Sequence, residues 1–164
     1  MTQYAKSLQS LRSALGRFAT GVVVVTFDSD DGPRGITVNS FTSVSMDPPL
    51  VLVSVARQAR AHDALFDRPF CVNVLGGHQE SLARHFAGKP SGEVDWVAGA
   101  SVPRLTGVLA HLECRPWRHY DGGDHTLFLG EVVDYDYRDG DALGFHGSRF
   151  TRIEDEQLGI EYLL

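Results

Sequence analysis

The sequence predicts a mainly β fold with a few helices, built as an antiparallel barrel and not as a doubly wound sheet. Three observations carry that expectation. Strand-like runs recur along the chain, while only about three segments have helical period. The two kinds do not alternate in the strand–helix–strand order that a parallel sheet needs. No G-x-G-x-x-G stands between a strand and a helix: the Gly16–Gly21 segment precedes a strand, and Gly76-Gly77 stands alone.

Tyr4, Leu8, Leu11, Leu15 and Phe18 recur at three- and four-residue spacing and mark an amphipathic first helix, with Arg12 and Arg17 off the stripe. Thr20-Gly21 ends it. Val22–Thr26 is β-branched throughout and reads as a buried strand. Asp28–Gly35, DSDDGPRG, supplies turn chemistry: Asp31-Gly32 favours a tight reversal and Pro33 blocks extension of the first strand. A hairpin therefore follows the helix, with GITVNS as its second strand. Pro48 and Pro49 cannot donate to a central ladder, so pairing is expected to lapse before Leu50–Val55 resumes as a short buried strand.

Ala61–Asp67 reads as a short helix closed by Pro69. Phe70–Leu75 reads as a strand with Phe70, Val72 and Val74 on one face and Asn73 on the other. Gln79–Ala87 is helical, with Leu82 and Phe86 spaced for one side. Gly88–Leu105 is rich in Gly, Pro and Ser, lacks a period and carries Trp96; irregular segments of this length are often functional. Further on, Val108, Ala110, Leu112 and Cys114 alternate with Leu109, His111, Glu113 and Arg115. Asp121–Asp124, DGGD, turns into the long strand Thr126–Tyr137, and Phe145–Ile153 adds a last strand with a break at Gly147.

At 164 residues the chain is expected to be one domain spanning 1–164, able to bury roughly two thirds of its unfolded surface. Hydrophobic content of 43% and charged content of 22% place it among soluble globular proteins. A formal charge of −6 argues against nucleic-acid binding, which needs a basic footprint, yet leaves room for a few arginines to hold an anion in one cleft. Cys71 and Cys114 lie in apolar strand patterns; reduced, buried thiols are the expectation and a single disulfide the alternative. The N-terminus lacks a charged-then-apolar leader pattern, and no apolar run nears the ~20 residues of a membrane span. A cytoplasmic location, with no membrane partner, is the default.

Two segments carry the chemistry. In Gly35–Val55, GITVNSFTSVSMDPPLVLVSV, the first strand turns Thr37 and Asn39 to one face and Val38 and Ser40 to the other. Polar groups in such a strand either face solvent or line a ligand groove. Free donors and acceptors there suit a flat heterocycle edged with carbonyls and ring nitrogens. In Gly123–Val132, GDHTLFLGEV, a turn delivers His125 into another strand. In this order the pair resembles the short-chain flavin reductase family, the small partners of two-component flavin monooxygenases. The resemblance runs from about Leu11 to Ile153.

The resemblance implies a split β-barrel of the FMN-binding flavin reductase type, holding FMN or FAD at a homodimer interface. NADH or NADPH enters as a transient co-substrate, which is consistent with the missing Rossmann motif. The implied activity is that of an NAD(P)H:flavin oxidoreductase supplying reduced flavin to a flavin-dependent monooxygenase component. Two other readings stay open. One is a non-enzymatic flavin-binding electron carrier; the other is an oxygenase or oxidase on the same barrel, with Gly88–Leu105 forming a deeper pocket.

By resemblance, Thr37, Val38, Asn39 and Ser40 form one wall of the flavin site, and Ser54, Val55, Ala56 and Arg57 meet the flavin tail. After Arg57 the chain departs from the pattern: relatives commonly place a Ser and a Thr at alternate positions, whereas RQARAH offers Ala59 and Ala61. Arg57 and Arg60 can substitute by charge, since guanidinium holds phosphate through two parallel bonds. The alternative for Arg60 is a solvated helix residue. Phe86-Ala87 matches a pair beside the flavin, although Phe86 also suits the core of its helix.

Asn73, in FCVNVL, resembles the family or caps a neighbouring loop. His125 is the candidate contact with the nicotinamide, against the reading of a surface turn histidine. Arg149, in FHGSRF, resembles a terminal motif near the same pocket. His78 and His85 share a helix face without carboxylate or thiolate partners at zinc spacing, and no metal is expected. Hydride transfer needs no general base or nucleophile, which agrees with the lack of a strong Ser-His-Asp or Cys-His pattern.

Overall fold

The computed structural model describes residues 7–155; Tyr4, assigned above to the first helix, lies outside them. Helix α1 spans Leu8–Leu15 and is capped by Ser7, whose hydroxyl accepts from the Ser10 N–H at 3.1 Å. Its apolar stripe is uncovered on this chain. Leu8 and Leu15 are 79% and 66% exposed. The helix stops at Gly16, short of the expected end, so Phe18, also exposed, lies beyond it and Thr20-Gly21 is already a strand. Helical period identifies the face that seeks burial, but not what buries it.

The strands are β1 (Thr20–Gly21), β2 (Val23–Ser29), β3 (Gly32–Val38), β4 (Thr42–Met46), β5 (Pro49–Ala56) and β6 (Phe70–Val74). They continue as β7 (Trp96–Ala98), β8 (Pro103–Leu105), β9 (Ala110–Gly122), β10 (His125–Tyr137), β11 (Ala142–His146) and β12 (Arg149–Ile153). Helix α2 spans Glu80–His85, and a 3-10 turn covers Asp63–Leu65 where a short helix is expected. Seven strands form one sheet in the order β3-β2-β6-β9-β10-β5-β4; β1-β11-β12 and β7-β8 form two smaller ones. Every strand pair is antiparallel.

The large sheet curls around an apolar interior but is not closed by a ladder. Along Val22–Phe27 the period of two sorts the β-branched run into two cores. Val23, Val25 and Phe27 pack inside with Val53, Val55, Phe70, Val72 and Phe128. Val22 and Val24 pack outside with Leu75, Ala83, Leu105 and Leu143, beneath α2. That double burial explains why the segment has no polar face.

Several expectations change. The first hairpin turns at Asp30-Asp31, one residue earlier than expected, and Pro33 lies inside β3 opposite Asp28. The Thr37 N–H points away from β2 to the Phe86 carbonyl at 3.2 Å, so by alternation the Pro33 nitrogen also faces the free edge and no β2 ladder bond is lost. Pairing does not lapse at the double proline: Met46 pairs with Pro49 around Asp47-Pro48, and β4 runs back along β5. The Gly147 break is a full reversal between β11 and β12, with Gly147 and Ser148 at φ 56° and 64°.

The 88–105 excursion contains the β7–β8 hairpin, anchored by a group the strand pattern does not reveal. Glu113 is fully buried, and its carboxylate accepts from the Ala100 and Ser101 N–H groups at 2.9 Å each and from the Ser101 hydroxyl at 3.1 Å. Gly99 permits that approach, because a Cβ there would lie 2.0 Å from Glu113 Oε1. Asn73 is the loop-capping residue among its two readings. Its amide donates to the Val24 carbonyl at 2.9 Å, and its oxygen accepts from the Leu105 N–H at 3.0 Å.

Cys71 and Cys114 are free and buried. Cys114 lies in the inner core, whereas Cys71 pairs with Glu113 on the other face of the sheet, so a bridge between them is sterically barred. Burial, first of all, pushes both thiols up to about 12. Among the described residues no helix is long and apolar enough to cross a membrane.

Candidate functional site

The site residues read from the sequence gather mainly at the seam where β3 and β5 approach. Just past β3, the Ser40 hydroxyl donates to the Ser54 carbonyl at 2.8 Å and accepts from the Ser54 N–H at 3.0 Å. One side chain thus supplies both bonds that a missing strand partner would make. Alternation along β5 turns the Ala56 N–H toward the same seam. Asn39 is exposed, and no hydrogen bond among the described residues engages its main chain or side chain. Free main-chain groups therefore flank the bridge, as a flat ligand with a polar edge requires.

The other members of the two walls divide by what they expose. Val38 packs against the inner core and Val55 is buried in it, so each can offer only main-chain groups. The Thr37 hydroxyl donates to the Ala83 carbonyl at 2.7 Å, tying β3 to α2 and removing its proton from ligand contact. Phe86 lies beside Thr37, half-buried, with its ring 5.8 Å from that of Trp96. Gly35 makes room for it: a Cβ there would lie 2.9 Å from the Phe86 ring. Ala87 is exposed at the end of this segment.

Arg57 does more than carry charge. Its N–H donates to the Asp124 carbonyl at 2.9 Å, its Nε donates to the Gly123 carbonyl at 2.8 Å, and its guanidinium pairs with Asp121. It therefore clamps the β9–β10 turn, and the phosphate role expected of it competes with these bonds. Arg60 is exposed, with no ion pair among the described residues. Ala59 and Ala61, where relatives carry hydroxyls, pack against or within the inner core and do not face the seam.

His125 begins β10 opposite Ala56 and Gly122, with 43% of its side chain exposed. Its Nδ1 lies 2.7 Å from Asp124 Oδ1. A proton on Nδ1 donated to that carboxylate leaves Nε2 directed to other partners. The hydrogen bond from His125, and then its charge, holds the Asp124 carboxyl below the usual carboxylate range. Asp124 is the last residue of DGGD, and its place directly before His125 is the only sequence signal of this contact. Arg149 opens β12 in the small sheet, and no hydrogen bond or ion pair among the described residues links it to the seam.

Two other clusters lie elsewhere. A cleft of about 360 Å³ lies between α2 and residues 91–107, with His78, His85, Glu93 and Asp95 on its walls. The ligand atoms of His111, Glu113 and Asp134 lie within 4.8 Å of one another. Arg104 sits 3.0 Å from His111 Nδ1, and the Glu113 oxygens already accept from the loop. A cation would have to displace both arrangements.

The fold and the seam define an open antiparallel β-barrel whose free main-chain groups lie along one edge. Residues 15–154 match the family model described as flavin reductase like domain. The chain belongs to this family. It is 45% identical over 149 residues to the FMN reductase (NADH) SmoA of Agrobacterium fabrum, covering 88% of this chain and 86% of that one. It is 48% identical over 161 residues to an NADH-dependent FAD reductase of Streptomyces globisporus, covering 90% and 87%. It is 35% identical over 153 residues to the reductase subunit HsaB of a flavin-dependent monooxygenase from Rhodococcus jostii, covering 89% and 78%. Among solved structures, the flavin reductase PheA2 superposes with a TM-score of 0.86 at 32% identity, covering 92% of this chain and all of that one. The split-barrel expectation stands.

Proposed function

We propose that this chain is an NADH-dependent flavin reductase whose working surface is the seam between Thr37–Ser40 and Ser54–Arg57, with His125 on the nucleotide side. The Ser40–Ser54 bridge carries the placement, because it holds the walls together while leaving Asn39 and the Ala56 N–H free beside it. A flavin bound there would supply the redox chemistry, as acceptor of the hydride that NADH carries. Hydride transfer needs no protein base or nucleophile, so the task of these residues is to hold and align the two reactants.

Each residue then has a limited role. Asn39 and the Ala56 amide offer polar contacts to the ring edge, and donors there favour negative charge on the reduced ring. Phe86 offers apolar contact. Arg60, free of ion pairs among the described residues, is the cation best placed for phosphate, with Arg149 as a second. His125 contacts the nicotinamide through Nε2, held in place by Asp124.

The names of the relatives support NADH over NADPH, and FMN and FAD both as acceptors. The relative that serves as a reductase subunit supports delivery of reduced flavin to a flavin-dependent monooxygenase component. The uncovered α1 stripe supports a homodimer. Free thiols fit a reducing cytoplasm.

The test is oxidation of NADH and NADPH by the purified chain with FMN, FAD and riboflavin in turn. Turnover with NADH and added free flavin is expected. Little oxidation with every flavin under both nucleotides overturns the reading. Tight flavin retention without NADH oxidation selects an electron carrier, and an oxygenated organic product formed by the chain alone selects an oxygenase.

A further inference from the structure

His62 is buried, 6% exposed, and both its ring nitrogens are engaged. Nδ1 lies 2.8 Å from Asp63 Oδ1, and Nε2 lies 2.8 Å from Thr126 Oγ1. Thr126 is 2% exposed and directly follows His125. The ring also stands edge-on to Phe66 at 5.1 Å and to Phe128 at 5.6 Å. An exposed carboxylate at Nδ1 keeps the proton on that nitrogen, so Nε2 accepts from the Thr126 hydroxyl.

The location gives this bond its meaning. From Ala56 the chain makes two successive turns, Ala59 N–H to Ala56 carbonyl at 3.0 Å and His62 N–H to Ala59 carbonyl at 3.0 Å. Residues 57–62, with Arg57 and Arg60, are thus tied to the β9–β10 region at both ends. Arg57 grips the turn at Gly123 and Asp124, and His62 grips Thr126. His125 sits between these two attachment points.

We propose that His62 is a positioning residue that acts through Thr126. It sets the loop bearing Arg60 against the strand end bearing His125, and so fixes the spacing between flavin-tail and nicotinamide contacts. This rests on the seam reading of function. A filler of the core would need only size and apolarity. A bond from Nε2 to a buried hydroxyl needs a particular atom in a particular place.

That difference is testable. Gln places its amide near the position of His Nε2, whereas Asn reaches only the position of Nδ1. The variants His62→Gln, His62→Asn, Thr126→Val and Thr126→Ser are compared in steady-state NADH oxidation and in amide hydrogen exchange across 57–62 and 124–126. For His62→Asn and Thr126→Val, KM for flavin and NADH is expected to rise about tenfold while kcat stays within about twofold. His62→Gln and Thr126→Ser are expected to stay near the parent chain. Exchange in both segments accelerates in the first pair only.

The proposal is overturned if Thr126→Val, nearly isosteric and the variant most certain to fold, leaves both KM values and the exchange unchanged. It is equally overturned if His62→Gln and His62→Asn behave alike. Should the parent chain reduce no flavin, the functional reading fails on its own. Exchange then still decides whether His62 couples the two segments.

Discussion

The Ser40 hydroxyl hydrogen-bonds twice to the Ser54 main chain, at 2.8 and 3.0 Å, across a seam of the large sheet where no strand ladder forms. Ser40→Ala therefore leaves a half-buried donor and acceptor unpaired, at a cost of about 1–2 kcal/mol. Urea unfolding is expected to show that loss, together with a higher KM for flavin. Unchanged stability would mean that water replaces the bridge without penalty.

Arg57 and Arg60 should separate by flavin. Arg60→Ala is expected to raise KM for FMN by about tenfold and leave riboflavin untouched, because only FMN carries the phosphate. Arg57→Ala releases the turn that carries Asp124 and should weaken both flavins and NADH together. Steady-state kinetics with the two flavins reads both outcomes.

His125→Ala is expected to raise KM for NADH by about tenfold, with little change in melting temperature, since its side-chain partner Asp124 is exposed. Asp124→Asn should give a smaller effect in the same direction by loosening the Nδ1 bond. Unaltered NADH kinetics in His125→Ala would remove it from the site.

The thiols offer a test of the core. With values of about 12, Cys71 and Cys114 contribute stability in full below the ordinary 9.0 and lose it as pH rises from there toward about 12. At about pH 8 only roughly one molecule in ten thousand carries a given thiolate. Iodoacetamide is expected to label neither cysteine in the native chain and both in denaturant. Rapid native labelling would contradict their burial.

Much of this was legible in local pattern. The β-branched run at Val22–Thr26 and the DGGD turn each report themselves within a few residues, and the structure places both as expected. Strand β4 did not, because Thr42–Met46 is an edge strand with exposed, mixed side chains and no apolar alternation to announce it. Pro33 misled because a sequence does not show which edge of a strand is free.

The site was legible as candidates but not as partners. Nothing near Arg57 indicates that its guanidinium will meet Asp121, 64 residues away, or that Glu113 will hold a loop through Ser101. Such pairs depend on how the strands are ordered in the sheet. His62 is visible in RQARAH only as a histidine; its bond to Thr126 exists because β5 and β10 are neighbours.

A crystal structure of the chain with bound FMN tests the seam most directly. The isoalloxazine is predicted to lie edge-on to the main chain of Asn39 and Ala56, beside the intact Ser40–Ser54 bridge, with one ring face open toward His125. Flavin lodged instead in the cleft between α2 and residues 91–107, with the seam filled by neighbouring side chains, would contradict it.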